Sequence, residues 1–155
     1  MAPIESLTAA IDQAIEYFNS RRLDLPDGLF DRRTQFVING AAFETLLSST
    51  PQDPLVLMLA RGPAGYRFAA KALQHAMPDA RIDRGEVTTD PSTADGAIAW
   101  QFQLWLSGKL RGTGEVINSL VAVTLRLAPA GPVEVADARV DAGELEKIRQ
   151  ARVTP

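Results

Sequence analysis

The sequence predicts an α+β fold, with N-terminal helices packed in the concave face of a curved, mainly antiparallel sheet. Three observations carry this. An apolar stripe at helical spacing opens the chain. Long segments of period-two alternation fill its second half. Helical segments come first and strands later, which argues against an alternating parallel α/β sheet. At 155 residues, with 46% hydrophobic and 23% charged residues, the chain is expected to form one domain over 1–155.

The first helix is expected from Ile4 to about Ser20. Ile4, Leu7, Ile11, Ala14, Ile15 and Phe18 recur at spacings of three and four. Pro3 suits its first turn, and Glu5 favours the positive end of its dipole. Leu25 to Arg33 reads as a short second helix or turn, punctuated by Pro26-Asp27-Gly28. Thr34 to Asn39 is β-rich, and Asn39-Gly40 is a hairpin signal with Ala42 to Leu47 as the return strand. Ser48 to Pro54 reads as a loop. Leu55 to Ala60 is too short to choose between helix and strand.

A clearer helix is expected from Pro63 to Ala76, with Tyr66, Ala69, Ala70, Leu73 and Met77 as its stripe and Pro78-Asp79 as its stop. Arg81 to Thr89, Ala97 to Leu110, Val116 to Leu127 and Val133 to Val140 are the expected strands. Ala142 to Arg149 reads as a short closing helix, which Asp141 is placed to cap.

Alternation assigns the faces of the two long strands. Ile98, Trp100, Phe102, Leu104 and Leu106 share one strongly apolar face, which should meet the helices. Gln101, Gln103 and Trp105 share the other, and Leu120 and Ala122 of the next strand are expected beside them. That second face is too apolar for a fully solvated sheet. Aromatic-rich, charge-poor surfaces suit protein contacts, so a homodimer formed sheet to sheet is expected.

Several chemistries are excluded or disfavoured. The chain has no cysteine, which removes disulfides, thiolate metal sites and thiol nucleophiles. It has one histidine, His75, read as a helix-end surface residue rather than a base. No metal site is expected. No nucleotide or flavin cofactor is expected either, because the Gly112-Thr113-Gly114 segment lies in a strand-to-strand turn and not before a helix. The net charge of −3 leaves no basic excess for nucleic acid. The N-terminal stretch lacks the basic and apolar regions of a signal peptide. The longest purely apolar run, Leu55 to Ala60, falls far short of the roughly 20 residues that span a membrane. A cytoplasmic protein is expected.

Four segments resemble the NTF2-like superfamily, also called the SnoaL-like or cystatin-like cone fold. Leu29-Phe30-Asp31 before Thr34-Gln35-Phe36-Val37-Ile38 resembles the entry to that family's first strand. Gly62-Pro63-Ala64-Gly65-Tyr66 resembles its helix entry. Met77-Pro78-Asp79-Ala80-Arg81-Ile82 resembles its step into the sheet, and Val133 to Asp141 its last strand. The resemblance covers nearly the whole chain and rests on the order and spacing of these segments.

The family includes ketosteroid isomerases, epoxide hydrolases, polyketide cyclases, dehydratases and non-catalytic members, so the resemblance alone does not choose an activity. The position matching the isomerase base is Ile38, which cannot take a proton. The Arg-x-Asp pair of the epoxide hydrolases has no match on the central strand, which reads Trp100-Gln101-Phe102. Arg81-Ile82-Asp83 has the spacing but sits one strand earlier and reads as a surface ion pair. If the chain is catalytic, the resemblance implies Asp137 as acid or base and Tyr17 as a phenol donor. The leading expectation is instead an apolar pocket that binds a small hydrophobic molecule, lined by Phe18, Phe36, Ile38, Tyr66, Trp100 and Phe102. A third expectation is an interaction module whose cone is filled by its own side chains.

Overall fold

The computed structural model describes residues 4–26, 29–43, 45, 58, 60–90, 98–127 and 133–152. The expectations for residues 46–57, and for the side chains of Ile4 and Leu7, lie outside the described residues.

Helix α1 runs from Ile4 to Asn19. Within its stripe Ile11 and Phe18 are buried. After it, Leu25 and Pro26 follow as irregular chain, and strand β1 spans Phe30–Ile38. The expected helix or turn over 25–33 is therefore corrected from Phe30 onward. Phe30 pairs with Val133, so long-range pairing captures a segment whose local signals favoured a turn.

The turn after β1 forms as its sequence demands, but the return strand expected over Ala42 to Leu47 is corrected: it ends at Ala42, and Phe43 and Thr45 are already helical. Asn39 (φ 51°) and Gly40 (φ 82°) are both left-handed, the geometry of a type I′ turn. The short strand β2, Ala41–Ala42, returns antiparallel to β1. Asn39 also holds the far strand, since its Oδ1 accepts the Val140 N–H at 2.8 Å.

Helix α2 spans Gly62–Ala76, with Pro63 in its first turn. Its stripe meets the sheet through Ala70 and Met77, both buried. Gly62 has φ +65°, and a Cβ there would stand 2.5 Å from the Asp31 carbonyl and 2.6 Å from Arg32 Cα. The residue type thus permits the close approach of α2 to β1.

The expected strand from Arg81 to Thr89 is two strands on one edge, β3 (Arg81–Arg84) and β4 (Thr88–Asp90). Arg84 pairs with Leu104 and Thr88 with Gln101 of the same neighbour. Three residues on the edge face two on the neighbour, which is a β-bulge. Gly85 donates its N–H to the Gln103 carbonyl at 2.7 Å within it. The extra residue flips the alternation, which a pattern read by eye carries through unbroken.

Strands β5 (Ile98–Lys109), β6 (Val116–Leu127) and β7 (Val133–Arg139) complete the sheet. The order is β2-β1-β7-β6-β5-β3, with β4 also on β5. All pairs are antiparallel except β1 with β7, which run parallel. Helix α3 spans Ala142–Arg152 and is capped by Asp141, whose Oδ2 accepts the Glu144 N–H at 3.0 Å.

The register fixes the two faces. Trp100 pairs with Leu125, Phe102 with Val123 and Leu104 with Val121 on the face toward the helices. Gln103 pairs with Ala122 and Trp105 with Leu120 on the outer face. The core packs Ile11, Leu29, Trp100, Phe102 and Leu125 at one end, and Phe18, Met77, Leu106 and Ile117 at the other. No helix among the described residues is long and apolar enough to cross a membrane.

Candidate functional site

Between the inner face of the sheet and helices α1 and α2 lies a cavity of about 250 Å³. Alternation aims Phe36 of β1, Phe102 and Leu104 of β5, Val123 of β6, and Ala136 and Ala138 of β7 into this space. Ile15 and Phe18 of α1 and Tyr66 of α2 close the other side. The cavity exists because β7 presents alanines on its inner face, where β5 and β6 present large side chains.

Among the described residues, Tyr66 is the one lining this cavity with a hydrogen-bonding side chain. Its ring lies 6.2 Å from that of Phe30, which stacks edge-on with Phe36 at 5.2 Å. Burial pushes the Tyr66 phenol up to about 12, because the low-polarity surroundings disfavour the phenolate. At neutral pH the group is a proton-bearing donor. No carboxylate or imidazole stands with it in the lining of this cavity among the described residues.

Two further chambers adjoin. One of about 140 Å³ shares Phe36, Tyr66, Ala136 and Ala138 with the first. Another of about 230 Å³ lies toward α3, walled by Leu73 of α2, Val121 of β6, and Leu145 and Ile148 of α3. It shares Ile38, Phe43, Ala69 and Ala138 with the 140 Å³ chamber. Among the described residues, no group of three or more His, Asp or Glu could hold a metal ion.

The structure places the residues singled out in the sequence as follows. Phe18, Phe36, Tyr66 and Phe102 line the first cavity. Ile38 lines the two chambers beyond it. Trp100 faces the same way but packs in the core with Leu125, and it is not part of the cavity lining. Its buried Nε1 has no hydrogen-bond partner among the described residues.

Tyr17 and Asp137 are not brought together. Tyr17 lies on α1 outside the cavity lining; its hydroxyl accepts from Gln13 Nε2 at 2.9 Å and its ring lies 4.4 Å beneath the Arg22 guanidinium. Asp137 borders the 140 Å³ chamber through its strand, but its register partners, Thr124 and Val37, belong to the outer face. There its Oδ2 stands 3.9 Å from Arg139 Nη2, two residues along the same face. A shared catalytic role would need both groups on one side of the sheet.

Gln101, Gln103, Trp105, Leu120 and Ala122 are all exposed, and the register joins them into one outer surface. Trp105 keeps 46% of its surface and Leu120 40%. Arg81 and Asp83 form an exposed ion pair at 3.6 Å on the same side.

Ala136, Ala138 and the walls supplied by α3 were not singled out in the sequence. The signal was present for the alanines: they alternate along a terminal strand and remove volume from an otherwise bulky face.

No family model matches the chain, and no curated protein matches it either. Solved structures do. The chain is similar to a protein described as a SnoaL-like polyketide cyclase from Jannaschia sp. CCS1, at 12% identity and TM-score 0.61, over 100% of this chain and 98% of that one. It is similar to an NTF2-like protein of unknown function from Exiguobacterium sp. 255-15, at 17% identity and TM-score 0.55, over 86% and 98%. A hexachlorocyclohexane dehydrochlorinase, LinA-type3, from Novosphingobium barchaimii LL02 aligns at 11% identity and TM-score 0.61, over 88% and 87%. At these identities the likeness is one of fold. The chain has the NTF2-like, SnoaL-like α+β cone fold.

Proposed function

We propose that the cone binds a small apolar molecule that carries one hydrogen-bond acceptor. The observation that carries this reading is the cavity of about 250 Å³, apolar on every wall except for the Tyr66 phenol. An apolar cavity of about 150 Å³ already takes benzene, so this one suits a ligand somewhat larger than a single unsubstituted ring. Desolvating such a ligand supplies the affinity, and Tyr66 supplies the orientation. Among the described residues the lining offers no carboxylate or imidazole to move a proton, which favours binding over acid–base catalysis.

Calorimetric titration with cyclohexanone and with cyclohexane tests this. Both should bind the native protein. Tyr66→Phe should weaken cyclohexanone about fivefold, the worth of one hydrogen bond of about 1 kcal/mol, and leave cyclohexane unchanged. Ala136→Leu, which fills the cavity, should abolish both. Absence of binding by either ring would contradict the reading.

A second reading concerns the outer face, which we propose pairs with a second copy of this chain. What supports it is the exposed Trp105–Leu120 pair, continuous with Ala122 and beside Gln101 and Gln103, with charge entering only at its borders through Asp83, the partner of Trp105, and Arg139, the partner of Ala122. A surface of one chain that is apolar at its centre and bears amides and both signs of charge at its margin can satisfy itself across a two-fold axis.

A further inference from the structure

The three chambers lie in a row rather than in a cluster. Along β7 their shared wall passes from Ala136 to Ala138 to Val140, all on the inner face. Along β6 it passes from Leu125 through Val123 to Val121. Four residues of strand rise about 13 Å, the reach of an extended chain of about ten carbons. Where the chambers meet, aromatic side chains belong to both linings, Phe36 and Tyr66 at one junction and Phe43 at the other. The same linings include small side chains, Ala138 on the sheet and Ala69 on α2. A ring in the first chamber must clear both Phe36 and Tyr66 to leave it along the sheet. A methylene chain has a smaller cross-section than a ring and suits such a path better.

The composition of the walls agrees with this. The middle chamber has the polar side chains of Tyr66 and Asp137 at its border, and register assigns that of Asp137 to the other face of the sheet. The far chamber is apolar until its rim, where Arg149 is exposed and paired with Glu146 at 3.3 Å. A ligand oxygen therefore finds its buried donor at Tyr66, and the rest of the molecule meets only carbon until it reaches the surface at α3.

We infer that the ligand class is a linear aliphatic chain of about ten carbons with a ketone or hydroxyl near one end, threaded from Tyr66 past Ala138 toward α3. This rests on the cavity reading above and narrows it. In this arrangement α3 is a working wall of the site: Leu145 and Ile148 cover the distal half of the chain.

The experiment is a chain-length series. Linear 2-alkanones of increasing length are titrated into the native protein by calorimetry, with cyclohexanone alongside. Affinity is expected to rise about fourfold per added methylene, and to level off near ten carbons. Ala69→Phe narrows the second junction from the helix side and does not line the first chamber. It should truncate the rise at short chain length and leave cyclohexanone affinity unchanged. Ala72→Leu, which intrudes only on the far chamber, should truncate it later along the series. If the series levels off at the shortest members while cyclohexanone still binds, the linear ligand is overturned and the cavity reading stands. If neither ring nor chain binds, both fall.

Discussion

The side chain of Asn19 forms with Ile82 both hydrogen bonds that a neighbouring strand would form. Its Nδ2 donates to the Ile82 carbonyl at 2.9 Å, and its Oδ1 accepts the Ile82 N–H at 2.8 Å. The last residue of α1 is thereby fastened to the edge strand β3. Two turns earlier on α1, Asp12 is gripped by Arg84 of the same strand through two nitrogens, at 2.5 and 3.1 Å. These contacts fix α1 at the height above the sheet that the cavity requires, since Ile15 and Phe18 of α1 and Ile82 of β3 are all in its lining.

Asn19→Ala should therefore destabilise the fold by about 1–3 kcal/mol, because two backbone groups of a part-buried strand lose their partner. Urea unfolding reads this as a lower midpoint with unchanged slope. An unchanged midpoint would mean that water replaces the amide without cost, and that α1 is held by its apolar face alone.

Tyr66 gives a pH dependence whose sign follows from its shift. Burial raises its pKa from 10.0 in the unfolded chain to about 12 in the fold. Up to pH 10 both states hold the proton and the contribution to stability is complete. Between pH 10 and 12 the unfolded chain ionises first, and stability is lost as pH rises. Two units correspond to about 3 kcal/mol. Tyr66→Phe should remove this part of the alkaline limb, read as the difference between the two proteins in denaturant midpoint from pH 9 upward. Parallel curves would show that the phenol ionises as easily in the fold as outside it. The same protonation state makes ketone binding independent of pH between 5 and 9.

Gly62 is the point where α2 crosses close to β1. Alanine there meets both a left-handed φ of +65° and the Asp31 carbonyl at 2.5 Å. Gly62→Ala should cost about 2 kcal/mol or more, from the backbone conformation and the displaced contact together. Thermal unfolding should show a clear drop in Tm. Gly40→Ala, where φ is +82° but no atom stands within 4 Å of the added Cβ, should cost less. Equal losses at the two sites would mean that the close approach carries no weight.

The outer face is tested by Trp105→Glu. Sedimentation at micromolar concentration should show a dimer for the native protein and a monomer for the variant, because a buried carboxylate at the centre of an apolar contact has no partner. A variant that remains dimeric would assign the interface elsewhere, and a monomeric native protein would remove the proposal.

Elements with strong local period were legible in the sequence, and contacts made at long range were not. Strand β6 falls on the expected Val116 to Leu127 because its alternation runs unbroken for the whole length. Helix α2 begins within a residue of its expected start, where glycine and proline punctuate the chain. The bulge at Gly85 was hidden, since a single extra residue leaves composition unchanged and reverses only the side of each later side chain. The parallel pairing of β1 with β7 was hidden too, because it joins Phe30 to Val133 across most of the chain and leaves no local mark.

The same division holds at the candidate site. Phe18, Phe36, Tyr66 and Phe102 were visible as large residues with an assigned face. The space between them is set by Ala136 and Ala138, and an absent side chain is noticed only when its neighbours are known. Asp137 is named as an acid or base only through the resemblance, while its alternation sets it on one face with Arg139. Its register with Thr124 and its approach to Arg139 agree with that alternation and set it on the outer face.

The most direct test of the central claim, that the cone interior holds an apolar ligand, is a backbone-assigned nitrogen–proton NMR spectrum recorded with and without saturating cyclohexanone. The account predicts shifts concentrated at Tyr66, Phe102, Leu104, Val123, Ala136 and Ala138. An unchanged spectrum, or shifts gathered on the outer face around Trp105 and Leu120, would contradict it.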